Sequence, residues 1–173
     1  KGIPITKQEV EIRGSMVDMY IPHIIFGELN SGSNFDDTTR RVVAGRNGLG
    51  AKLANIFSVD FEVETADPSR ESKFQMRWSN NMSSHTPHKV TRYKNQVGYT
   101  KVRFVPDLSR FHIKSTDSEE WINSCRMFER RVNDISVTTP ARTKVKWNGS
   151  HCSLVTFRDY ASALVGHDST VYC

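Results

Sequence analysis

Between Ser58 and Val105 the apolar residues recur at every second position, and this stretch restricts the possible folds more than any other part of the chain. VDFEVETA places Phe61 and Val63 on one side, and SKFQMRWS does the same with Phe74, Met76 and Trp78. HKVTRYK and GYTKVRFV read as a third and a fourth strand. A period of two fits half-buried strands, so this stretch predicts a meander. On both sides the period is helical. MVDMYIPHIIFGELN has apolar residues at Met16, Met19, Tyr20, Ile24 and Leu29, with a new helix starting at Pro22, because proline suits a first turn. The preceding KQEVEIRGS reads as a loop. Leu49, Leu53, Ile56 and Phe57 mark one face of a second helix that ends at Ser58. DSEEWINSCRMFERRVNDIS predicts a third helix, capped by Asp117 or Ser118 with acids in its first turn. RTKVKWNGSHCSLV predicts a hairpin turning at Asn148-Gly149, and TFRDYASALV a short last helix. Helices, then strands, then a helix and a hairpin imply an α+β layered sandwich with a mixed or largely antiparallel sheet.

Of the 173 residues, 37% are hydrophobic and 25% charged, enough for one domain with a core. No apolar run reaches membrane-spanning length. The chain opens with KGIPI rather than Met, which suggests a piece of a longer protein. The net charge of +5 suits phosphate or nucleic-acid partners. Cys125, Cys152 and Cys173 are odd in number and form no CxxC, so neither a zinc site nor a disulfide framework is expected, and a reducing compartment fits. His85 and His88 form an HxxH within SSHTPHK, which reads as a solvated loop rather than a metal site.

Gly45, Gly48 and Gly50 fall within six residues directly ahead of a helix, in VVAGRNGLGAKLANIF. Glycine loses the most backbone freedom on folding, so such a cluster needs a use. A glycine loop at a helix start presents backbone N–H groups to an anion. Arg46 and Lys52 add positive charge, and Asn47 offers both donor and acceptor. Neither the P-loop nor the dinucleotide fingerprint fits: Ala51 follows Gly50 where the first needs lysine, and Leu53 stands where the second needs its third glycine. A flexible turn and a phosphate cradle both remain open on these residues alone.

GIP, MYIPHIIFGEL, SGSNFDD and GRNGLGAKLANIFS occur in that order, followed by GYTKVRFVPDLSRF, KVKWNG and TFRDY. Together they closely resemble the ATPase region of eukaryotic-type type IIA DNA topoisomerases, members of the GHKL ATPases, over nearly the whole chain to about Leu164. The resemblance implies a two-layer sandwich of the GHKL (Bergerat) type, with helices on one face of a mixed, mostly antiparallel sheet and its N-terminal part missing. Within a partial domain 1–173, it implies an ATP lid at about 16–57, a sheet at about 58–105, a helix at about 117–134, and a hairpin and last helix at about 142–165.

The same resemblance implies an ATP site. Arg46, Asn47, Gly48, Leu49, Gly50, Ala51 and Lys52 would line the phosphates, with Lys52 near the γ-phosphate. Leu49 stands where relatives often carry an aromatic residue and would act through its amide. Ser33 and Asn34 would contact ribose and phosphate, Ile3, Ile25 and Phe26 would surround base and sugar, and Thr100 would lie under the adenine. Ile3, Ile25 and Phe26 also suit a core, and Thr100 an ordinary strand. The family's general-base glutamate, magnesium-binding asparagine and adenine-bonding aspartate precede the GIP motif, and its distal lysine follows Cys173. No catalytic or metal residue is therefore expected here, although ATP and Mg2+ are implied for the parent. Glu28, Glu62 and Glu64 read as surface acids.

The implied parent is an ATP-hydrolysing DNA topoisomerase that works as a homodimer, meets DNA mainly through other domains, has no membrane role, and is nuclear or in a DNA-containing organelle. This segment alone is expected to be inactive. Two rivals are another GHKL ATPase, MutL-like or chaperone, and a non-enzymatic basic module docking on nucleic acid through Arg40-Arg41, Arg126 to Arg131 and Arg142 to Lys146.

Overall fold

The computed structural model describes residues 2–12, 14–29, 38, 45, 47–140, 142–154 and 156–165. They form two compact units that divide after Phe111.

The first unit begins with a hairpin. Strand β1 (Lys7–Ile12) pairs antiparallel with β2 (Ser15–Tyr20), from Lys7 opposite Tyr20 to Ile12 opposite Ser15. Gly14 turns the corner at φ +81°, a backbone state that favours glycine. This corrects two expectations, a loop over KQEVEIRGS and a helical stripe running through Met16 and Met19. Met16 is 62% exposed and Val17 41%, so no helix packs their side chains. The ladder to β1 satisfies the backbone instead. Pro22 then sits in the first turn of helix α1 (Ile21–Gly27), where its missing N–H has no intrahelical partner to lose.

Helix α2 (Gly50–Ile56) departs from the expected stripe at Leu53, while Leu49, Ile56 and Phe57 are half-buried. Leu53 is 47% exposed, whereas Lys52 and Asn55 are buried at 3% and 0%. The reason is hydrogen bonding. The Asn55 amide donates to the Phe26 carbonyl at 3.1 Å, tying α2 to the end of α1. The Lys52 amine donates to the Gly48 carbonyl at 2.6 Å.

The main sheet has five strands. β3 (Ser58–Asp67) lies between β4 (Ser72–Ser79) and β7 (Tyr99–Pro106), antiparallel to both. The outer edge of β4 carries two short strands, β5 (Ser84–His85) near Trp78 and β6 (Lys89–Arg92) near Phe74. His85 thus lies in a strand, not in the loop expected for SSHTPHK. Every strand pairing among the described residues is antiparallel.

The two faces of the sheet differ as the alternation requires. Phe61, Val63, Phe74, Met76 and Trp78 join Ile5 and Phe26 in one core, with Ala51, Ala54, Ile3 and Ile25 packed against it. On the other face, Glu64 pairs with Lys73 at 3.4 Å, and Asp60 pairs with Arg77 and with Arg103 at 3.7 Å. Water screens pairs of this kind, so the apolar face decides where the helices pack.

In the second unit, helix α3 (Glu119–Thr138) starts at Ser118, whose hydroxyl accepts the Trp121 amide at 3.3 Å. Glu119 and Glu120 occupy its first turn. Strands β8 (Lys146–Trp147) and β9 (Ser150–His151) form the expected hairpin, with Asn148 and Gly149 at φ 48° and 83°. Helix α4 (Phe157–Val165) follows. The Tyr160 hydroxyl donates to the Asp134 carboxylate and the Ser136 hydroxyl to the Leu154 carbonyl, joining α4 and its approach to α3. The α+β, mostly antiparallel class expected from the sequence is the one observed.

Candidate nucleotide site

The glycine segment forms a turn that runs into α2. Gly48 has φ +59°, a left-handed state disfavoured for other residues. Leu49, at φ −97° and ψ −27°, is the N-cap but caps nothing with its side chain, and the first turn of α2 holds no acid. The amides of Gly50, Ala51 and Lys52 therefore have no acceptor inside the helix. A Cβ built on Gly45 or Gly50 meets nothing within 4 Å, so these glycines leave open space beside the turn. Space, helix-start N–H groups and a nearby ammonium suit a phosphate chain.

Lys52 lies under this turn. Burial lowers its pKa, and the charge of Glu28 opposes that shift in part. An anion brought to the turn would favour the protonated amine further. Asn55, one helical turn on, fixes α2 against α1, and its buried Oδ1 has no partner among the described residues.

Phe26 is a core residue, 8% exposed, and Ile3 and Ile25 border the same core. Thr100, on β7, is exposed and stands opposite Thr65 of β3. The Ile3 amide donates to Thr65 Oγ1 at 2.9 Å, and Thr65 Oγ1 lies 2.9 Å from Thr100 Oγ1. The structure thus links Ile3 to Thr100 through Thr65 and Phe26 to α2 through Asn55, with Ile25 and Ala51 packed against the same core. Asn47, Gly48 and Leu49 form the turn itself. Ser33, Asn34 and Arg46 lie outside the described residues.

Three contributors were not singled out in the sequence: Asn55, Thr65 and Asp67. The signal for two of them was available. Residues 61, 63, 65 and 67 share one face of β3, so Thr65 and Asp67 are polar side chains on an apolar face. Asp67 is 6% exposed and accepts the Ile5 amide at 3.4 Å, the Ser69 amide at 3.1 Å and an Arg70 guanidinium N–H at 3.0 Å. The Ser69 hydroxyl, then burial acting against it, then Arg70 set its carboxyl below the usual range.

Glu62 and Glu64 lie on the opposite face of the sheet from this site, where the Tyr99 hydroxyl donates to Glu64. Among the described residues no cluster of three His, Cys, Asp or Glu side chains is placed to hold a metal ion. His85 and His88 instead gather beside His23, whose ring centroid is 5.6 Å from that of His85 and 5.9 Å from that of Trp78. Burial, with smaller pushes from His85 and His88, lowers the His23 pKa from 6.5 to about 4. The unfolded chain therefore binds the proton first. The stabilisation from neutral His23 is complete above pH 6.5 and is lost as the pH falls towards 4.

Among the described residues no helix is long and apolar enough to cross a membrane. No protein-family model matches the chain. Curated relatives do. A DNA topoisomerase 2 of Candida glabrata is 44% identical over 160 residues, 92% of this chain and 11% of the relative. A mitochondrial DNA topoisomerase 2 of Dictyostelium discoideum is 43% identical over 137 residues, 79% of this chain and 10% of the relative. Among solved structures, the ATPase region of Saccharomyces cerevisiae topoisomerase II matches with a TM-score of 0.79 and 41% identity, covering 95% of this chain and 41% of that one. The chain thus spans about a tenth of its curated relatives' length, and it matches part of the ATPase region of the solved structure. By sequence and by fold, the chain belongs to the DNA topoisomerase 2 family, as a homologue of its ATPase region.

Proposed function

We propose that this chain is part of the ATP-binding region of a type IIA DNA topoisomerase, an enzyme that uses ATP to pass one DNA duplex through another. The observation that carries the reading is the match to the yeast ATPase region over 95% of the chain at 41% identity. In this reading the backbone amides from Asn47 to Lys52 wrap the triphosphate. The Lys52 ammonium, held under the turn by the Gly48 carbonyl, faces developing charge at the terminal phosphate. Arg46 adds a second cation, and Ser33 and Asn34 contact ribose and phosphate. Ile3, Ile25 and Phe26 border base and sugar, and Thr100 lies under the base.

Magnesium supplies charge neutralisation at the phosphates when bound, and its protein ligand and the general base come from residues outside this chain. ATP closes a homodimeric gate on DNA, and hydrolysis resets it. DNA contact is mainly the work of other regions, so the segment alone neither hydrolyses ATP nor cleaves DNA. The site of action is the nucleus, with a DNA-bearing organelle as the alternative that the mitochondrial relative suggests.

The test is plasmid relaxation by the full-length protein. Supercoiled DNA is expected to relax with hydrolysable ATP and Mg2+, and to remain supercoiled without nucleotide. Relaxation that ignores ATP, or none under any condition, overturns the proposal.

A further inference from the structure

Two of the six prolines follow a threonine, and in both places a basic residue stands two positions further on: Thr86-Pro87-His88-Lys89 and Thr139-Pro140-Ala141-Arg142. This pattern suits a serine/threonine protein kinase of the proline-directed class. Proline directly after the acceptor brings no backbone N–H for the enzyme's groove to satisfy. The cation that follows pairs with acidic or phosphorylated groups on the enzyme. The local sequence treats the two threonines alike, and the fold does not.

Thr86, Pro87 and His88 form the exposed link between β5 and β6, outside any helix or strand. Ser84 and His85 just ahead are in a strand, and the following proline keeps Thr86 itself extended. A kinase groove takes its substrate extended, so this stretch needs little rearrangement. The Thr86 amide ties the link to the Arg77 carbonyl at 2.9 Å, an edge bond that an arriving enzyme can replace. The Thr86 hydroxyl is held loosely: it accepts the Arg77 amide at 3.3 Å and donates to the Arg77 carbonyl at 3.4 Å, both long. Lys89 is exposed and makes no ion pair among the described residues. Thr139 differs on every count. It caps the C-terminus of α3, and Val137 and Thr138 ahead of it are helical. It is half-buried, and its hydroxyl donates to the Ile135 carbonyl in the last turn. The helix end would have to unwind to present it.

We propose that Thr86 is a phosphorylation site for a proline-directed serine/threonine kinase, and that the fold withholds Thr139 from the same enzyme. The Thr86 oxygen attacks the γ-phosphorus of ATP held by the kinase. The bond from that phosphorus to the β–γ bridging oxygen breaks, ADP leaves, and the hydroxyl proton passes to the kinase's base. The product carries about −1.5 to −2 charge at pH 7, and its ester oxygen no longer donates to the Arg77 carbonyl. The charge falls between His85 and His88 in the chain. His85 meets His23 of α1 at 5.6 Å, and His88 meets Tyr20, the N-cap of α1, at 4.9 Å. The modification therefore bears on the contact of α1 with the sheet edge.

The test incubates the folded full-length protein with a purified cyclin-dependent kinase, ATP and Mg2+, and follows phosphate at Thr86 and Thr139 by mass spectrometry. Thr86 is expected to be modified at least about tenfold faster than Thr139, because only Thr139 needs local unfolding first. After heat unfolding the two rates are expected to converge. Pro87→Ala is expected to slow modification of Thr86 about tenfold, the scale of one unsatisfied N–H in the enzyme's groove. No phosphate on Thr86 of the folded protein, or indifference to Pro87→Ala, overturns the site. Equal rates at the two threonines before unfolding, or a Thr139 that stays slow after it, overturns the selection by the fold.

Discussion

Lys52→Ala is expected to lower ATP turnover by the full-length enzyme by a factor of about 10²–10³, the scale on which one preorganised electrostatic group acts. Two effects add. The ammonium proposed to face the terminal phosphate is gone, and the turn loses the 2.6 Å tie from Lys52 to the Gly48 carbonyl. Lys52→Arg is not expected to restore turnover. The site holds the lysine at 3% exposure, and the wider, forked guanidinium cannot take the same position without moving α2. Steady-state turnover measured beside a thermal melt checks this. Near-normal turnover in a folded Lys52→Ala enzyme would remove Lys52 from the site.

Trp78→Ala carries the largest expected cost to stability, about 3–5 kcal/mol. The ring is 1% exposed and meets Phe61 edge-on at 6.0 Å. It also supports α1 directly: a Cβ on Gly27 would lie 3.1 Å from Trp78 Cζ2, so the helix backbone rests on the indole. Truncation leaves a cavity under the helix that reaches the Asn55–Phe26 hydrogen bond and, through it, α2. Leu53→Ala is the control, because Leu53 is 47% exposed on the outer face of α2 and its loss is expected to cost well under about 1 kcal/mol. Chemical denaturation of the complete ATPase region compares the two. Equal costs would mean that the burial pattern of α2 is wrong.

Those two residues also show what was legible in the sequence. Trp78 was readable because β4 alternates, and Phe74, Met76 and Trp78 fall on one face with nothing to contradict them. The helix cap at Ser118 and the turn at Asn148-Gly149 were readable because each is decided by three or four neighbouring residues. The β1–β2 hairpin was not, because Met16, Met19 and Tyr20 also fit a helix and only pairing with the distant KQEVEI decides between the two. The orientation of α2 was missed for a related reason. Leu49, Ile56 and Phe57 of the expected stripe are half-buried, but Leu53 is exposed and Asn55 is buried, because Asn55 bonds the Phe26 carbonyl on a segment distant in sequence. At the site, the glycine turn was visible as a local oddity of composition. Thr65 was visible only as a polar break in an apolar face, and its partners Ile3 and Thr100, on two different segments, appear only once the chain is folded.

The central claim is that the peptide donors from Asn47 to Lys52 enclose the nucleotide's phosphates. Hydrogen exchange on the full-length protein, with and without a non-hydrolysable ATP analogue, tests this most directly. Saturating analogue is expected to slow exchange of the 47–52 amides by at least about tenfold, while the 146–151 hairpin stays unchanged. Bound analogue with no protection at 47–52 would contradict the claim.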